Sequence, residues 1–326
     1  MQGDMDRLGF FKQMLSSTMD AASSVMGLKK AAEEITEAVD DVMRGVQAEI
    51  GLYLPSVDAA MYDSASGTLY EVAQMGYTTL EVGSYYDGKC YNMGAEKFKE
   101  MVRREGLRIS ALRINKPYVK PAATAQADDD TTKAKEEGAE SVGETIISSD
   151  HSEWLTKAVA TAKRLGCSFL SMANFPDEPI AEQIADYARY YNLIGTMCRE
   201  RGITLCIHPT WEAMRKQAEG SIFEQIWHKC DKELVQLSLD TQECKRADVE
   251  IKQLIEANKG AVATLHLHDS GIVGESGEID FDKVIALAEE CGTKSYYIEV
   301  SRCTLPPMNC LERSIYYVES LPSVKY

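Results

Sequence analysis

Short apolar segments alternate with amphipathic segments along most of this chain. From residue 49 onward, each apolar segment is followed by residues whose apolar positions recur at helical spacing. The apolar segments predict eight strands, at residues 49–57, 78–86, 107–115, 166–175, 203–211, 234–242, 262–270 and 295–302. The other segments predict helices at about 67–75, 96–105, 151–165, 180–201, 221–230, 246–259, 281–291 and 309–320. Eight strands alternating with helices indicate a parallel sheet, and eight is the number that closes a (β/α)8 TIM barrel.

Two segments do not follow this alternation. Residues 1–48 carry apolar positions at spacings of three and four, which predicts an N-terminal helical extension to a barrel domain of residues 49–326. An acidic loop insertion at about residues 120–150 follows the third strand and contains three consecutive aspartates at 128–130. Its composition predicts a loop, and its place on the active-site side of a barrel makes it a candidate lid.

Composition and charge narrow the choice of partners. The 326 residues are 44 % hydrophobic and 26 % charged, which is ordinary for a globular protein. The net charge of -16 leaves no basic surface for a phosphate backbone, so we expect a small-molecule partner and no nucleic acid. No apolar run approaches the roughly 20 residues of a membrane span. The nine cysteines show no CxxC spacing, and we expect buried, reduced thiols.

The first residues resemble an export signal only in part. Arg7 precedes apolar residues as in a twin-arginine signal, but the second arginine is missing and Asp20 interrupts the segment that follows. We therefore expect a cytoplasmic protein, with export through a degenerate signal as the alternative. The sequence leaves the oligomeric state open, and a homo-oligomer is one of the states it allows.

Near the C-terminal ends of the last four predicted strands, polar side chains lie on the same face of each strand. Side chains alternate between the two faces of a strand, and the large aliphatic residues suit the face that packs on helices. The other face then carries His208, Asp240, His266 and Glu299, with His268 two residues beyond His266. Because chemistry in such barrels lies at the C-terminal ends of the strands, we expect these side chains to converge.

Two imidazoles and two carboxylates at one point predict a metal site. The predicted ligands are His208, Asp240, His266 and Glu299. A divalent ion such as Mn²⁺, Co²⁺, Mg²⁺ or Zn²⁺ accepts this mixture of nitrogen and oxygen. The alternative is a network of buried ion pairs, because a buried carboxylate must be paired or bound to something.

Five segments, taken in order, resemble a known family. They are GYTTLEVGS (76–84), IHPTWE (207–212), LSLDTQ (237–242), HLHDSG followed by GESGEIDF (266–281), and YYIEVS (296–301). Over about residues 49–320 the chain is similar to the xylose isomerase-like barrels of the sugar phosphate isomerase/epimerase group. The resemblance implies a TIM barrel that acts on a carbohydrate and does not specify which one.

The resemblance also implies a ligand set, from which this chain departs once. Family members hold one divalent metal with a carboxylate from strand five, an Asp from strand six, a His from strand seven and a Glu from strand eight. Asp240, His266 and Glu299 match the last three, and His268 stands where relatives often have lysine. At strand five, His208 replaces the glutamate of the epimerases. Those enzymes resemble two-base catalysts acting on an enediolate, so we interpret Glu299 as a catalytic base and His208 as a ligand or an acid/base.

Residues beyond the strand ends predict an outer pocket. The predicted substrate-binding residues are Glu81, Trp211, His268 and Arg302. Aromatic faces suit the C–H face of a sugar and carboxylates suit its hydroxyls. Tyr85 and Tyr86 are further candidates, with loop packing as the alternative. Arg113 and Lys116 end strand three and, like Arg302, could meet an anion, but the pattern does not support a phosphorylated substrate.

These observations favour one function and leave three alternatives. The leading hypothesis is a divalent-metal-dependent isomerase or epimerase that acts on a ketose or keto-sugar through an enediolate. A lyase or dehydratase acting on a 3-keto sugar or glycoside is the second, since elimination needs no second carboxylate base. A metal-dependent abasic-site endonuclease is disfavoured by the net charge of -16. A non-catalytic sugar-binding barrel could lose the metal ligands, which this chain retains.

Overall fold

The computed structural model describes residues 49–120, 146–176 and 181–324, and eight of its strands close into a parallel barrel. The first to eighth barrel strands are Glu49–Tyr53, Thr79–Val82, Arg108–Ile114, Phe169–Met172, Thr204–Ile207, Val235–Asp240, Val262–His268 and Ser295–Glu299. Each strand pairs in parallel with the next along the chain, and the first pairs with the eighth. The predicted (β/α)8 TIM barrel is confirmed.

Helices connect the strands and pack on them through apolar faces. Their bounds are Asp58–Gln74, Ala95–Arg104, Ser149–Leu165, Ala181–Arg199, Trp211–Met214, Ile222–Trp227, Thr241–Arg246, Ile251–Ala257, Phe281–Glu290 and Pro307–Glu319. Most lie within a few residues of the predicted bounds. The short helices 211–214 and 241–246 were not predicted, because four to six residues are too few to show helical periodicity.

The first strand is shorter and the first helix longer than the sequence predicts. The strand ends at Tyr53, and a 3-10 turn, Leu54–Val57, leads directly into a helix that begins at Asp58. Pro55 explains the early end of the strand, because it lacks the N–H that a ladder requires. The helix is kinked at Ser64, whose φ of -149° and ψ of 85° are not helical, and this hid its first half from the sequence pattern.

A small antiparallel ribbon replaces the second half of the predicted second strand. Its three strands are Tyr85–Tyr86, Lys89–Cys90 and Met93–Gly94. Two-residue turns connect them, and all four turn residues have positive φ: Asp87, Gly88, Tyr91 and Asn92. Two successive residues with positive φ match the twist of a tight hairpin. The ribbon therefore projects from the C-terminal end of the second barrel strand.

The barrel interior has an apolar floor beneath polar strand ends. Its buried residues are Ala111, Phe169, Cys206, Ala263 and Tyr297, with Tyr53 packed against them. The Tyr297 hydroxyl lies 2.8 Å from Ser110 Oγ, which in turn accepts a hydrogen bond from Thr79 Oγ1. A larger apolar layer lies between the strands and the helices. The interior is therefore filled, and the polar side chains are confined to one end of it.

Some sequence-based predictions fall on other parts of the chain. The N-terminal extension and residues 121–145 of the insertion lie outside the described residues. All nine cysteines are described; none forms a disulfide, and eight are buried. No helix within the described ranges is long and apolar enough to cross a membrane.

Candidate active site

Asp240, His268 and Glu299 bring three potential metal-ligating atoms together at the ends of the sixth, seventh and eighth strands. His268 Nδ1 lies 2.9 Å from Asp240 Oδ2 and 3.9 Å from Glu299 Oε1. One atom from each of the three side chains falls within 4.8 Å of the other two. Asp240 and His268 are buried, whereas the Glu299 side chain is 17 % exposed and is the most accessible of the three.

Hydrogen bonds from neighbouring residues orient this group. Asp240 caps the helix Thr241–Arg246: its Oδ1 accepts the backbone N–H of Glu243 at 2.8 Å, which leaves Oδ2 facing His268. Thr241 Oγ1 accepts the backbone N–H of His268 at 2.9 Å. On the far side of the ring, His268 Nε2 lies 2.7 Å from Ser301 Oγ. Such outer partners fix the orientation of a ligating imidazole.

The tilt of the strands brings His268 to the Asp240 carboxylate. In the ladder, Asp240 is paired with His266, and Glu299 is paired with His268. Barrel strands are tilted against the barrel axis, so side chains that meet come from staggered positions on neighbouring strands. The geometry therefore favours His268 as the ligand beside Asp240 and Glu299, whereas the sequence assigned that role to His266 and gave His268 to the substrate.

Charge in this group suits a cation. Burial alone would lower the pKa of His268, but the Asp240 carboxylate and then Glu299 raise it to about 9. Burial alone would raise the pKa of Asp240, but His268 holds it below its usual value. The metal-free pair is thus an imidazolium and a carboxylate. A divalent ion can supply the same positive charge after displacing that proton, so this donor set fits a metal.

A second buried cluster joins Glu81, Arg113 and His266. Arg113 Nε donates to Glu81 Oε1 at 3.0 Å, and the guanidinium carbon lies 4.5 Å from the centre of the Tyr53 ring. His266 Nε2 lies 2.8 Å from Glu81 Oε2. His266 Nδ1 lies 2.8 Å from Glu299 Oε2. His266 therefore connects the second cluster to the carboxylate of Glu299.

Glu81 is ionised and fully engaged. Burial alone would raise its pKa, but the Arg113 guanidinium and His266 hold the pKa well below the usual range. Its Oε1 also accepts a hydrogen bond from the Ser171 hydroxyl. Substrate binding by Glu81 stays a prediction, and the geometry favours a role in holding Arg113 and His266.

His208 follows the fifth strand and lies outside the group of Asp240, His268 and Glu299. Its Nδ1 lies 3.1 Å from Arg113 Nη2 and 3.2 Å from Ser238 Oγ. Burial, and then the charge of Arg113, lower the pKa of His208 well below its usual value, so the imidazole is neutral. Its role as a metal ligand stays a prediction.

Several residues of these clusters are not apparent from the sequence pattern. The residues missed as site members are Tyr53, Ser171, Ser238 and Ser301, and Arg113 was assigned only to an anion. The alternation of side chains between the two faces of a strand could have identified two of them. Arg113 shares a face with Ala111 of the interior and pairs with Ser171 in the ladder. Extending the alternation rule from strands five to eight to strands three and four selects Arg113 and Ser171.

Trp211 and Arg302, which the sequence predicts to bind substrate, lie in different surroundings. The guanidinium carbons of Arg246 and Arg215 lie 4.7 and 5.3 Å from the centre of the Trp211 ring. Arg302 has a positive φ of 52° and lines a cavity of about 180 Å³ with Ser270 and Cys303. Substrate binding by Trp211 and Arg302 stays a prediction.

The two tyrosines of the ribbon differ from each other. Tyr85 packs edge-on against Trp154, with ring centres 5.6 Å apart, and Lys116 Nζ lies 5.1 Å from the same indole. Tyr86 is 80 % exposed at the ribbon turn. Loop packing, the alternative given for both tyrosines, describes Tyr85, whereas Tyr86 remains available to a ligand.

Comparison with known proteins supports the fold. Among solved structures, a sugar phosphate isomerase/epimerase from Parabacteroides distasonis ATCC 8503 has 21 % sequence identity and a TM-score of 0.71, over 86 % of this chain and 96 % of that one. An L-ribulose 3-epimerase has 15 % identity and a TM-score of 0.63, over 83 % and 93 %. A D-allulose 3-epimerase from Methylomonas sp. has 13 % identity and a TM-score of 0.62, over 84 % and 97 %. At these identities the likeness concerns the fold alone. A search of curated proteins gives no significant match.

The sequence itself matches a family profile. The matched segment, residues 69–302, runs from the first helix to just beyond the eighth strand. It contains both buried clusters described above except Tyr53. The chain therefore belongs to the xylose isomerase-like TIM barrel family.

Proposed function

We propose that this protein is a divalent-metal-dependent isomerase or epimerase that acts on a ketose or keto-sugar. The observation that carries the proposal is the group of Asp240, His268 and Glu299, with three ligating atoms within 4.8 Å at the strand ends. Family membership and the fold likeness to proteins named L-ribulose 3-epimerase and D-allulose 3-epimerase support the choice of a small carbohydrate substrate.

Asp240, His268 and Glu299 would hold the metal. Two carboxylates and one imidazole suit Mn²⁺, Co²⁺, Mg²⁺ or Zn²⁺. When bound, such an ion supplies Lewis-acid chemistry, because it polarises a carbonyl and stabilises negative charge on its oxygen. Every other part of the proposed reaction belongs to side chains of this protein.

Glu299 is the proposed base. Its Oε1 belongs to the ligand group, and its Oε2 lies 2.8 Å from His266 Nδ1. An ionised carboxylate only accepts hydrogen bonds, so His266 Nδ1–H is the donor and orients Glu299. Glu299 would remove the proton from the carbon next to the carbonyl to give an enediolate. A proton returned to the opposite face of that carbon gives the epimer. A proton delivered to the former carbonyl carbon, with a proton passing between the two oxygens, gives the aldose–ketose isomer.

A lyase or dehydratase acting on a 3-keto sugar or glycoside is the second candidate. Epimerisation by two bases needs a proton acceptor on each side of the carbon, whereas elimination needs one base and a leaving group. Glu81 is occupied by Arg113 and His266. Both oxygens of Asp240 are engaged, by the Glu243 N–H and by His268. Within the described clusters this leaves Glu299 as the carboxylate base, and that observation favours the one-base reaction.

The test follows deuterium in D₂O. Mn²⁺-loaded protein is incubated with a panel of ketoses, ketose phosphates and 3-keto glycosides, and the products are identified by mass and NMR. An isomerase or epimerase returns a product of unchanged composition with deuterium on the carbon next to the carbonyl. A lyase instead releases the β-substituent.

Metal dependence is tested in the same assay. EDTA-treated protein should lose both exchange and product formation, and added Mn²⁺ should restore them. Exchange that persists in the EDTA-treated protein contradicts a metal-dependent reaction. A Mn²⁺-loaded protein that exchanges no proton and forms no product on the whole panel contradicts the proposed function.

A further inference from the structure

Arg113 contacts the same nitrogen of His208 that Ser238 contacts. Arg113 Nη2 lies 3.1 Å from His208 Nδ1, and Ser238 Oγ lies 3.2 Å from it. A guanidinium carries five N–H donors and no acceptor. His208 Nδ1 must therefore accept the hydrogen bond, and an accepting ring nitrogen carries no proton.

Two other contacts fix the guanidinium in this orientation. Its Nε donates to Glu81 Oε1 at 3.0 Å, and its carbon lies over the Tyr53 ring. The Arg113 side chain is 13 % exposed and Glu81 is 1 % exposed, so water competes little for these bonds. The proton on His208 is consequently determined by a rigid, permanently charged neighbour.

We propose that Arg113 locks His208 as a neutral imidazole protonated at Nε2, so that His208 donates a hydrogen bond to a substrate oxygen and does not bind the metal. This inference rests on the proposed function for the identity of the acceptor, a carbonyl or hydroxyl oxygen of a sugar. No hydrogen bond within the described part of the chain reaches His208 Nε2, which is thus the atom free to serve a ligand.

The lock gives His208 a different role from that of His268. To bind a metal through Nε2, neutral His208 would have to move its proton to Nδ1, where the Arg113 donor stands. The His268 imidazolium can instead release the Nδ1 proton that lies between two carboxylates and remain a neutral ring. A neutral imidazole N–H can polarise a carbonyl, and a fixed donor aimed at developing oxyanion charge stabilises the transition state. Arg113 is then a positioning residue that acts through His208.

The tautomer can be measured directly. In metal-free protein labelled with ¹⁵N-histidine, NMR distinguishes a protonated ring nitrogen from an unprotonated one, and loss of a signal in His208→Gln assigns the residue. We expect an unprotonated Nδ1 and a protonated Nε2 for His208, unchanged when Zn²⁺ is added. A proton on Nδ1, or a Zn²⁺-induced shift of a His208 nitrogen that His208→Gln abolishes, overturns the inference.

Arg113→Lys tests the lock. Lysine keeps the positive charge but lacks the planar fork, so the Nδ1 signal of His208 should move towards a mixture of tautomers. The exposed residue His228 is the internal control, and its signals should not change. If His208 keeps one pure Nε2–H tautomer in folded Arg113→Lys, Arg113 does not determine it.

Substitutions at His208 separate donor from ligand. The amide N–H of glutamine can stand in for Nε2–H, so His208→Gln should keep roughly tenfold more turnover than His208→Ala. This is a partial recovery of the roughly 10²–10³-fold effect of one transition-state hydrogen-bond donor. Both variants should bind Mn²⁺ within about threefold of wild type, because no ligand is lost. A loss of Mn²⁺ affinity above about tenfold in both variants overturns the inference, and a loss above about 100-fold makes His208 a ligand.

The readouts also separate this inference from the proposed function. Tautomer and Mn²⁺ affinity need no substrate. If the expected tautomer is found and no sugar is turned over, the proposed function fails while the lock stands. If sugars are turned over and His208 carries its proton on Nδ1, the lock fails while the proposed function stands.

Discussion

His268 is the ligand candidate on which the structure and the sequence-based prediction differ. Sequence parity selected Asp240, Glu299 and both histidines of the seventh strand, but a single strand cannot say which histidine faces which neighbour. That choice depends on the stagger between tilted strands, which is a property of the closed barrel. In the structure His268 Nδ1 contacts Asp240, and His266 contacts Glu81.

The proposed role of Glu299 as the catalytic base can be tested by substitution with glutamine. Glutamine keeps the shape and one oxygen donor but removes the base. We expect Glu299→Gln to bind Mn²⁺ more weakly than wild type, with turnover and solvent deuterium exchange both reduced by a factor on the order of 10²–10⁴. Exchange and turnover are measured on the same sugar at saturating Mn²⁺.

The outcomes for Glu299→Gln distinguish a catalytic base from a metal ligand. If exchange survives at the wild-type rate, the base lies elsewhere. If exchange is lost only because Mn²⁺ no longer binds at any concentration, Glu299 acts as a ligand and the assignment as base is contradicted. The matched control is Glu233→Gln, an exposed carboxylate that precedes the sixth strand at the opposite end of the barrel, which should retain both exchange and turnover.

At the scale of elements, one side chain both ends a strand and caps a helix. Asp240 Oδ1 accepts the N–H of Glu243, and Asp240 Oδ2 faces His268. Asparagine keeps the cap but not the charge, whereas alanine removes both. In metal-free protein, we expect Asp240→Ala to lose about 1 kcal/mol of unfolding free energy relative to Asp240→Asn.

Urea unfolding and Mn²⁺ titration measure the two roles separately. Both variants should bind Mn²⁺ far more weakly than wild type, because the carboxylate is gone. Equal unfolding free energies for Asp240→Ala and Asp240→Asn would remove the capping role. Wild-type Mn²⁺ affinity in Asp240→Asn would remove the carboxylate from the ligand set.

Two helices and a loop meet at a buried histidine. His151 Nε2 lies 2.8 Å from the Tyr190 hydroxyl, which donates to the Lys116 carbonyl, so His151 is the donor to Tyr190. Burial, and then the charge of Lys116, lower the pKa of His151 below its usual value. Below about pH 6.5, the unfolded chain therefore binds a proton that the folded protein resists, and stability falls as pH falls.

Substitution of His151 should remove this part of the pH dependence. Glutamine can still donate to Tyr190 but does not titrate. We expect the unfolding free energy of wild type to fall more steeply than that of His151→Gln as pH decreases below about 6.5, and the two slopes to agree above it. Urea denaturation across pH 5–8 measures both, and parallel curves throughout would contradict the assignment.

At the scale of the whole molecule, the barrel interior supports the site from below. Phe169 belongs to the apolar floor and is 7 % exposed. Phe169→Ala should destabilise the protein by about 3–5 kcal/mol, because it leaves a cavity that a closed barrel cannot collapse to fill. Chemical denaturation measures the loss, and a change below about 1 kcal/mol would show that the interior repacks.

Periodicity predicted the barrel, its strand number and most connections, since these follow from local alternation of apolar and polar residues. Periodicity did not predict contacts between side chains that lie far apart in the sequence. Arg113 looks like a charge at a strand end, and only closure of the barrel buries it against Glu81 and two histidines. The ribbon depends on Tyr91 and Asn92 adopting positive φ. Positive φ is uncommon for residues other than glycine, so the sequence did not predict this turn.

Mn²⁺ titration of purified protein measures whether Asp240, His268 and Glu299 hold a metal. Wild type should bind close to one Mn²⁺ per chain. His268→Ala should weaken binding by more than about 100-fold, whereas His266→Ala, which removes a hydrogen bond to Glu299, should cost about tenfold. His228→Ala, an exposed control, should bind as wild type does. Wild-type protein that binds no Mn²⁺, or a His268→Ala variant that binds it as tightly as wild type, would show that these three side chains do not form a metal site.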